Sequence, residues 1–405
     1  WGKNTDVNIF KIAVKLHQHD MDKGVTLARQ TNSKTVLSNI KRGNIKMDTY
    51  SNLQKLFNEV GITVYSEMIL GLPGETYESW RDGLNELIEA GPKNQLFVYQ
   101  CEVYRNTDLA EPEYQEKFGI KTQRIELNEV HGGIRSGDWI PEYQDIIVQT
   151  ASMPVADWRR MTRFSIMAKV MYSMQLGLFA LSYLADRYGI KYVAFIEYLC
   201  DLEMANGKGS ILRGEVEFFD RFIDGLLEGK GRGVKMPEFG SLYWNIEEAT
   251  FLRSLSRTDE FYEQLFDLIC DFLNVRGHEL NVEEISEVIR YQRLLMPNLE
   301  PLKATEVEFE FNIPEYFDRL FGTDAVTISR DRQVLSLSPK EFYGDWKNFA
   351  REVVLWGRNS GTMLVKCDWQ SLDRPWCKAT NLVKQSVVLD IESLPRAANL
   401  GRDKT

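Results

Sequence analysis

Three residues, an acid, an amide and a guanidinium, stand where their types and spacing could do chemistry. Glu67 interrupts the apolar run Ile62-Thr63-Val64-Tyr65-Ser66-Glu67-Met68-Ile69-Leu70. A carboxylate inside a parallel strand must face a polar cavity or be neutralised by a basic neighbour. Gln30 closes the run Gly24-Val25-Thr26-Leu27-Ala28-Arg29, and Arg42 follows after one short helix. An amide can hold a hydroxyl or an amine, and a guanidinium can clamp a carboxylate through two parallel hydrogen bonds, so the two suit an amino-acid-bearing ligand. Arg42, beside Gly43, could equally complement a helix C-terminus. After Leu70, the stretch Gly71-Leu72-Pro73-Gly74-Glu75-Thr76 puts Pro73 and Gly74 at the centre of a type II turn. Its glycines would either let a flat ligand lie against the backbone or serve a strand-to-helix turn alone.

These groups need rigid elements, and periodicity supplies them. Helical spacing over Ile9 to Leu16, over Val36 to Ile40, over Tyr50 to Val60 and over Tyr77 to Ala90 alternates with strands at Gly24 to Arg29, Ile62 to Leu70 and Gln95 to Val103. Such alternation predicts parallel pairing with right-handed crossovers. From Val155 to Leu295 the pattern is almost wholly helical, and beyond Leu302 a period of two over Thr305 to Phe311 begins a small α+β unit. Within that unit, Ala325 to Ser329 and Gln333 to Leu337 are expected to pair across Arg330-Asp331-Arg332. Ser338-Pro339-Lys340-Glu341 reads as a capping box. The expected division is therefore residues 1–130, 131–300 and 301–405.

Forty-nine basic against 59 acidic residues give a net charge of −10, which disfavours non-specific binding to nucleic acid. Five cysteines, with no Cys-x-x-Cys pair, read as reduced thiols in a cytoplasmic protein rather than as a disulfide framework. The apolar stretch Phe164 to Ala185 contains Lys169, Gln175 and three serines, so a buried helix is expected rather than a membrane span.

Taken together, the runs Gly24 to Ser33, Val36 to Arg42 and Glu67 to Thr76 resemble strands four and five of a radical S-adenosylmethionine (SAM) enzyme. The resemblance is closest to the subgroup carrying a cobalamin-binding domain. It implies the carboxyl-terminal half of a partial (βα)6 barrel, strands four to six, within residues 1–130, followed by a helical annex and the α+β unit. It also implies that Gln30 and Arg42 hold the methionyl part of SAM and that Glu67 lies near the ligand. Gly71, Pro73, Gly74 and Glu75 would form the adenine wall. Phe97 to Cys101 with Tyr104 to Thr107 is similar to the sixth strand and its exit, with Arg105 where the family has proline. Ile146 to Met153 with Asp157, Trp158 and Met161 is similar too, and no chemical role attaches to it.

The implied chemistry is reductive cleavage of SAM at a [4Fe–4S] cluster to a 5′-deoxyadenosyl radical, with a reductant such as flavodoxin or ferredoxin. A cobalamin domain would add methyl transfer or a rearrangement, on a small-molecule or peptide substrate that the sequence does not identify. The family's Cys-x-x-x-Cys-x-x-Cys run is absent from the chain. The expectation is thus a carboxyl-terminal portion of a longer enzyme, with strands one to three and the cluster ligands before Trp1, and inactive alone. The alternatives are a non-catalytic α/β plus helical binding module without SAM dependence, and an aldolase-type barrel using Glu67 as base. The latter lacks a lysine or metal partner.

Overall fold

Alternating burial along three short strands builds the platform for the site. In the computed structural model, which describes residues 7–19, 21, 24–91, 95–135, 137–201, 210–300, 305–322, 326–338, 342–358 and 363–379, the chain begins with α1 (Val7–His17), β1 (Val25–Gln30), α2 (Lys34–Asn39) and α3 (Met47–Glu59). It continues through β2 (Val64–Leu70), α4 (Tyr77–Ala90) and β3 (Gln95–Gln100). The strands form one parallel sheet in the order β1-β2-β3, with Ala28 opposite Glu67 and Glu67 opposite Phe97. Val64, Ser66, Met68 and Leu70 are buried on one face, whereas Tyr65, Glu67 and Ile69 on the other are half-buried. Helix α4 starts at a reciprocal Thr76–Ser79 capping box and buries Trp80, Leu84, Leu87 and Ile88; each such side chain contributes roughly 1.5 to 3 kcal/mol of transfer free energy. Trp80 Nε1 donates to Ser165 Oγ at 2.9 Å, which ties the sheet to the helices that follow.

Next come α5 (Pro112–Phe118) and an antiparallel hairpin, β4 (Lys121–Glu126) with β5 (Tyr143–Gln149), which periodicity did not disclose. The helical region comprises α6 (Val155–Ala168), α7 (Leu178–Tyr188), α8 (Tyr192–Cys200) and α9 (Ile211–Leu227). A minimal hairpin, β6 (Val234–Lys235) and β7 (Tyr243–Trp244), precedes α10 (Ile246–Leu255), α11 (Thr258–Val275) and α12 (Val282–Leu295). Between α6 and α7 the chain makes a π-helical turn, Lys169–Ser173, closed by Met174 N donating to Lys169 O at 2.8 Å. The apolar stretch is therefore two buried helices at 93°, and no single helix among the described residues is long and apolar enough to cross a membrane.

The last unit contains β8 (Glu306–Phe311), α13 (Ile313–Leu320), β9 (Arg330–Ser338), α14 (Trp346–Phe349) and β10 (Lys366–Ser371), with the antiparallel order β10-β9-β8. The hairpin expected across Arg330-Asp331-Arg332 does not form, because those residues are the start of β9. The two arginines point out, and the buried Asp331 carboxylate accepts from Ser371 Oγ at 2.8 Å and Arg374 Nη2 at 2.7 Å. The Pro339-Lys340-Glu341 part of the expected capping box, and the tail, lie outside the described residues.

Candidate functional site

The carboxyl ends of β1 and β2 are stitched together by polar side chains. A bulge in β1 between Ala28 and Gln30 accompanies a left-handed backbone at Gln30, φ 65°, and bulges of this kind re-aim a side chain where a strand ends. Gln30 is half-buried like Thr26 and Ala28, and the bulge sets it opposite Met68 rather than in step with the Ala28–Glu67 pair. Arg29 turns the other way, donating to Asn32 Oδ1 at 2.6 Å and Ile45 O at 2.8 Å, and Asn44 Nδ2 donates to Thr31 O at 2.6 Å. These bonds pin the segment carrying Arg42 against the β1 exit. The side chains of Gln30 and Arg42 are half-buried and make no hydrogen bond or ion pair with the described residues.

The Gly71–Thr76 turn is the type II turn expected: Gly74 has φ 97°, and Glu75 N donates to Leu72 O at 3.2 Å. Asn39 Nδ2 donates to Pro73 O at 3.0 Å and fills the place a Gly74 side chain would take, 2.5 Å from an added Cβ. Glu75 is fully buried, accepting from Thr31 Oγ1 at 2.6 Å and from the Ser79 hydroxyl. It bolts the β1 exit to the start of α4. Burial raises its pKa, and the Ser79 and Thr31 hydrogen bonds offset only part of that. A carboxyl with a raised folded pKa favours the fold most below its unfolded pKa, and that contribution is lost as pH rises through the folded value. Glu75→Gln is therefore expected to flatten the decline in unfolding free energy from about pH 4.5 toward neutrality, read by urea titration at several pH values. An unchanged slope would refute the assignment.

Glu67 accepts a hydrogen bond from Tyr99, and burial raises its pKa; the Tyr99 hydroxyl is itself pushed up to about 12 by burial and by the Glu67 charge. Tyr99 and Phe97 link this face to a cavity of about 810 Å³, a size suited to a small-molecule ligand. Its walls come from β3 and its exit, the β4–β5 hairpin, α6, the π-turn, α9 and the start of α10. One wall carries a buried charge cluster, of which Lys169, Glu247 and His131 line the cavity. Lys169 Nζ is 2.8 Å from Glu247 Oε2; Arg358 Nη1 is 3.2 Å from Glu247 Oε1 and 2.7 Å from Glu248 Oε1; His131 Nε2 is 2.8 Å from Glu248 Oε2. Burial alone would raise both glutamates, yet Lys169 and Arg358 hold Glu247 below the usual carboxylate range, and His131 and Arg358 hold Glu248 down to about 2. The Arg358 guanidinium also stacks 4.7 Å over the Phe97 ring.

No protein-family model matches the chain. Two curated proteins do. One is described as a cobalamin-dependent radical SAM methyltransferase, TokK, of Streptomyces tokunonensis, 26% identical over 334 residues, covering 78% of this chain and 48% of the relative. The match supports a likeness to the cobalamin-type radical SAM family. The other relative, 2-(S-pantetheinyl)-carbapenam-3-carboxylate methyltransferase of Streptantibioticus cattleyicolor, is 27% identical over 331 residues, with the same coverage. The chain thus spans about half the length of the curated relatives it matches.

The likeness raises two cofactor questions that the donor sets address. For SAM, Gln30 and Arg42 present an amide and a guanidinium with no partner among the described residues, beside the end of a parallel sheet, which fits a ligand bearing an amine and a carboxylate. For an iron–sulfur cluster, the described residues do not fit: no group of three His, Cys, Asp or Glu is placed to hold a metal. Burial pushes the Cys101 thiol up to about 12 and Cys367 up to about 11, so neither is poised as a thiolate. Sequence reasoning missed Glu247, Glu248 and Arg358. Lys169 had a visible signal, as a cation inside an apolar run.

Proposed function

We propose that this chain is the SAM-holding and substrate-enclosing portion of a cobalamin-dependent radical SAM methyltransferase. The observation that carries the reading is the pair of side chains, Gln30 and Arg42, that have no partner among the described residues and sit by the end of a parallel sheet whose open face leads through Glu67 and Tyr99 to a large cavity. The sheet is taken as strands four to six of a partial barrel. Arg42 clamps the methionyl carboxylate, Gln30 holds the amine, and the backbone of the Gly71–Glu75 turn borders the adenine. Glu67, hydrogen-bonded to Tyr99, fixes the Tyr99 ring at the cavity mouth. In the intact enzyme, bound SAM would supply the radical on reductive cleavage, and a bound cobalamin would supply the methyl-carrying chemistry. The names of both relatives support methyl transfer.

The test uses the native full-length protein, reconstituted anaerobically with iron, sulfide and cobalamin and supplied with a reductant. SAM should be consumed, with 5′-deoxyadenosine and S-adenosylhomocysteine found by mass spectrometry. Absence of both products would contradict the reading.

A further inference from the structure

We propose that Lys169 donates to a neutral carbonyl oxygen of the small molecule that the cavity takes. This rests on reading the cavity as the substrate chamber. Lys169 opens the π-helical turn, lines the cavity and is 9% exposed; single π-turns within helices recur at functional sites. Neighbouring polar groups on that wall are committed inside the protein. Thr162 Oγ1 donates to Trp158 O at 2.8 Å, Ser165 Oγ donates to Met161 O at 2.7 Å and accepts from Trp80, and Gln100 Oε1 accepts from Trp158 Nε1 at 3.1 Å. The Lys169 ammonium has three protons, and its described partner is Glu247 alone. Two donors remain for a ligand.

The charge balance decides what kind of acceptor fits. Glu247 and Glu248 face two permanent cations, Lys169 and Arg358, with His131 also on Glu248. A ligand carboxylate at Lys169 would add a third negative charge beside Glu247 and Glu248, which is costly unless a cation farther along the cavity, such as Arg105, Arg124 or Arg232, meets it. A ketone, ester or amide oxygen takes the spare donors and leaves the cluster neutral. The aromatic rings of Phe97 and Phe222 line the same cavity and suit an apolar body on that ligand.

The experiment titrates the native protein, without added SAM or cobalamin, with three probes by ligand-observed NMR: N-methylbenzamide, benzoate and N-methylaniline, an amine that stays uncharged at neutral pH. The amide should bind about tenfold more tightly than the amine, which lacks the acceptor, and benzoate should bind more weakly than the amide. In Lys169→Met/Glu247→Gln, which removes the ion pair as a unit, the amide's advantage should vanish. Equal binding of amide and amine, stronger binding of benzoate, or an advantage surviving in the double variant would each overturn the proposal. The wild-type ranking decides the matter even if the double variant does not fold. Since no SAM is present, a protein that fails to cleave SAM yet shows this ranking would refute the radical reading alone.

Discussion

Replacing Arg358 with methionine is expected to lower the unfolding free energy by about 3 to 5 kcal/mol, the usual loss when one partner of a buried ion pair is removed. Arg358 is buried and donates to both Glu247 and Glu248. Without it, two adjacent carboxylates are left to Lys169 and His131. The guanidinium also joins parts of the chain more than a hundred residues apart, reaching α10 and the Phe97 ring of β3 from just beyond a π-helical stretch of the last unit, Ala350–Trp356. The acid limb should change as well. Glu248 titrates at about 2 in the fold, so its contribution is present above the unfolded pKa and is lost as pH falls toward that value. Arg358→Met should therefore lose less stability on acidification than the wild type. Urea unfolding from neutral to acidic pH checks both points. A variant within about 1 kcal/mol of wild type, the effect of an ordinary substitution, would show that the cluster does not join these elements.

Arg42→Ala is expected to weaken SAM binding by roughly ten- to a hundredfold, the range for a hydrogen-bonded charge. Its thermal midpoint should stay near that of the wild type, because Arg42 is half-buried and has no partner among the described residues to orphan. Unaltered SAM affinity, or a large fall in thermal midpoint, would make Arg42 a structural residue. The two variants are thus expected to separate roles: Arg358→Met should move stability, and Arg42→Ala should move ligand affinity.

The parallel sheet was legible because its strands carry continuous apolar runs and because a Pro-Gly turn followed by a Thr cap announces the change from strand to helix. The half-open face was legible through one residue, since Glu67 cannot be buried under helices without a partner. The charge cluster was not. Glu247 and Glu248 look like ordinary acids in a first helical turn, and Glu248 does complete a capping box with Asn245. Arg358 lies 111 residues from Glu247, so no local period records the pairing. Arg330-Asp331-Arg332 was misread as a turn because a charged run resembles one, whereas here the middle residue is paid for by Arg374 and Ser371. Glu75, read as part of a ligand wall, also proves to be a buried bolt; only its two hydroxyl partners reveal that role.

The account's central claim is that Arg42 holds the methionyl carboxylate of SAM. It is tested most directly by titrating native protein and Arg42→Ala with SAM and with 5′-methylthioadenosine, which keeps the adenosyl part and lacks the amino acid. The prediction is a loss of roughly ten- to a hundredfold for SAM and no change for 5′-methylthioadenosine. Equal losses for both ligands, or none for either, would contradict it.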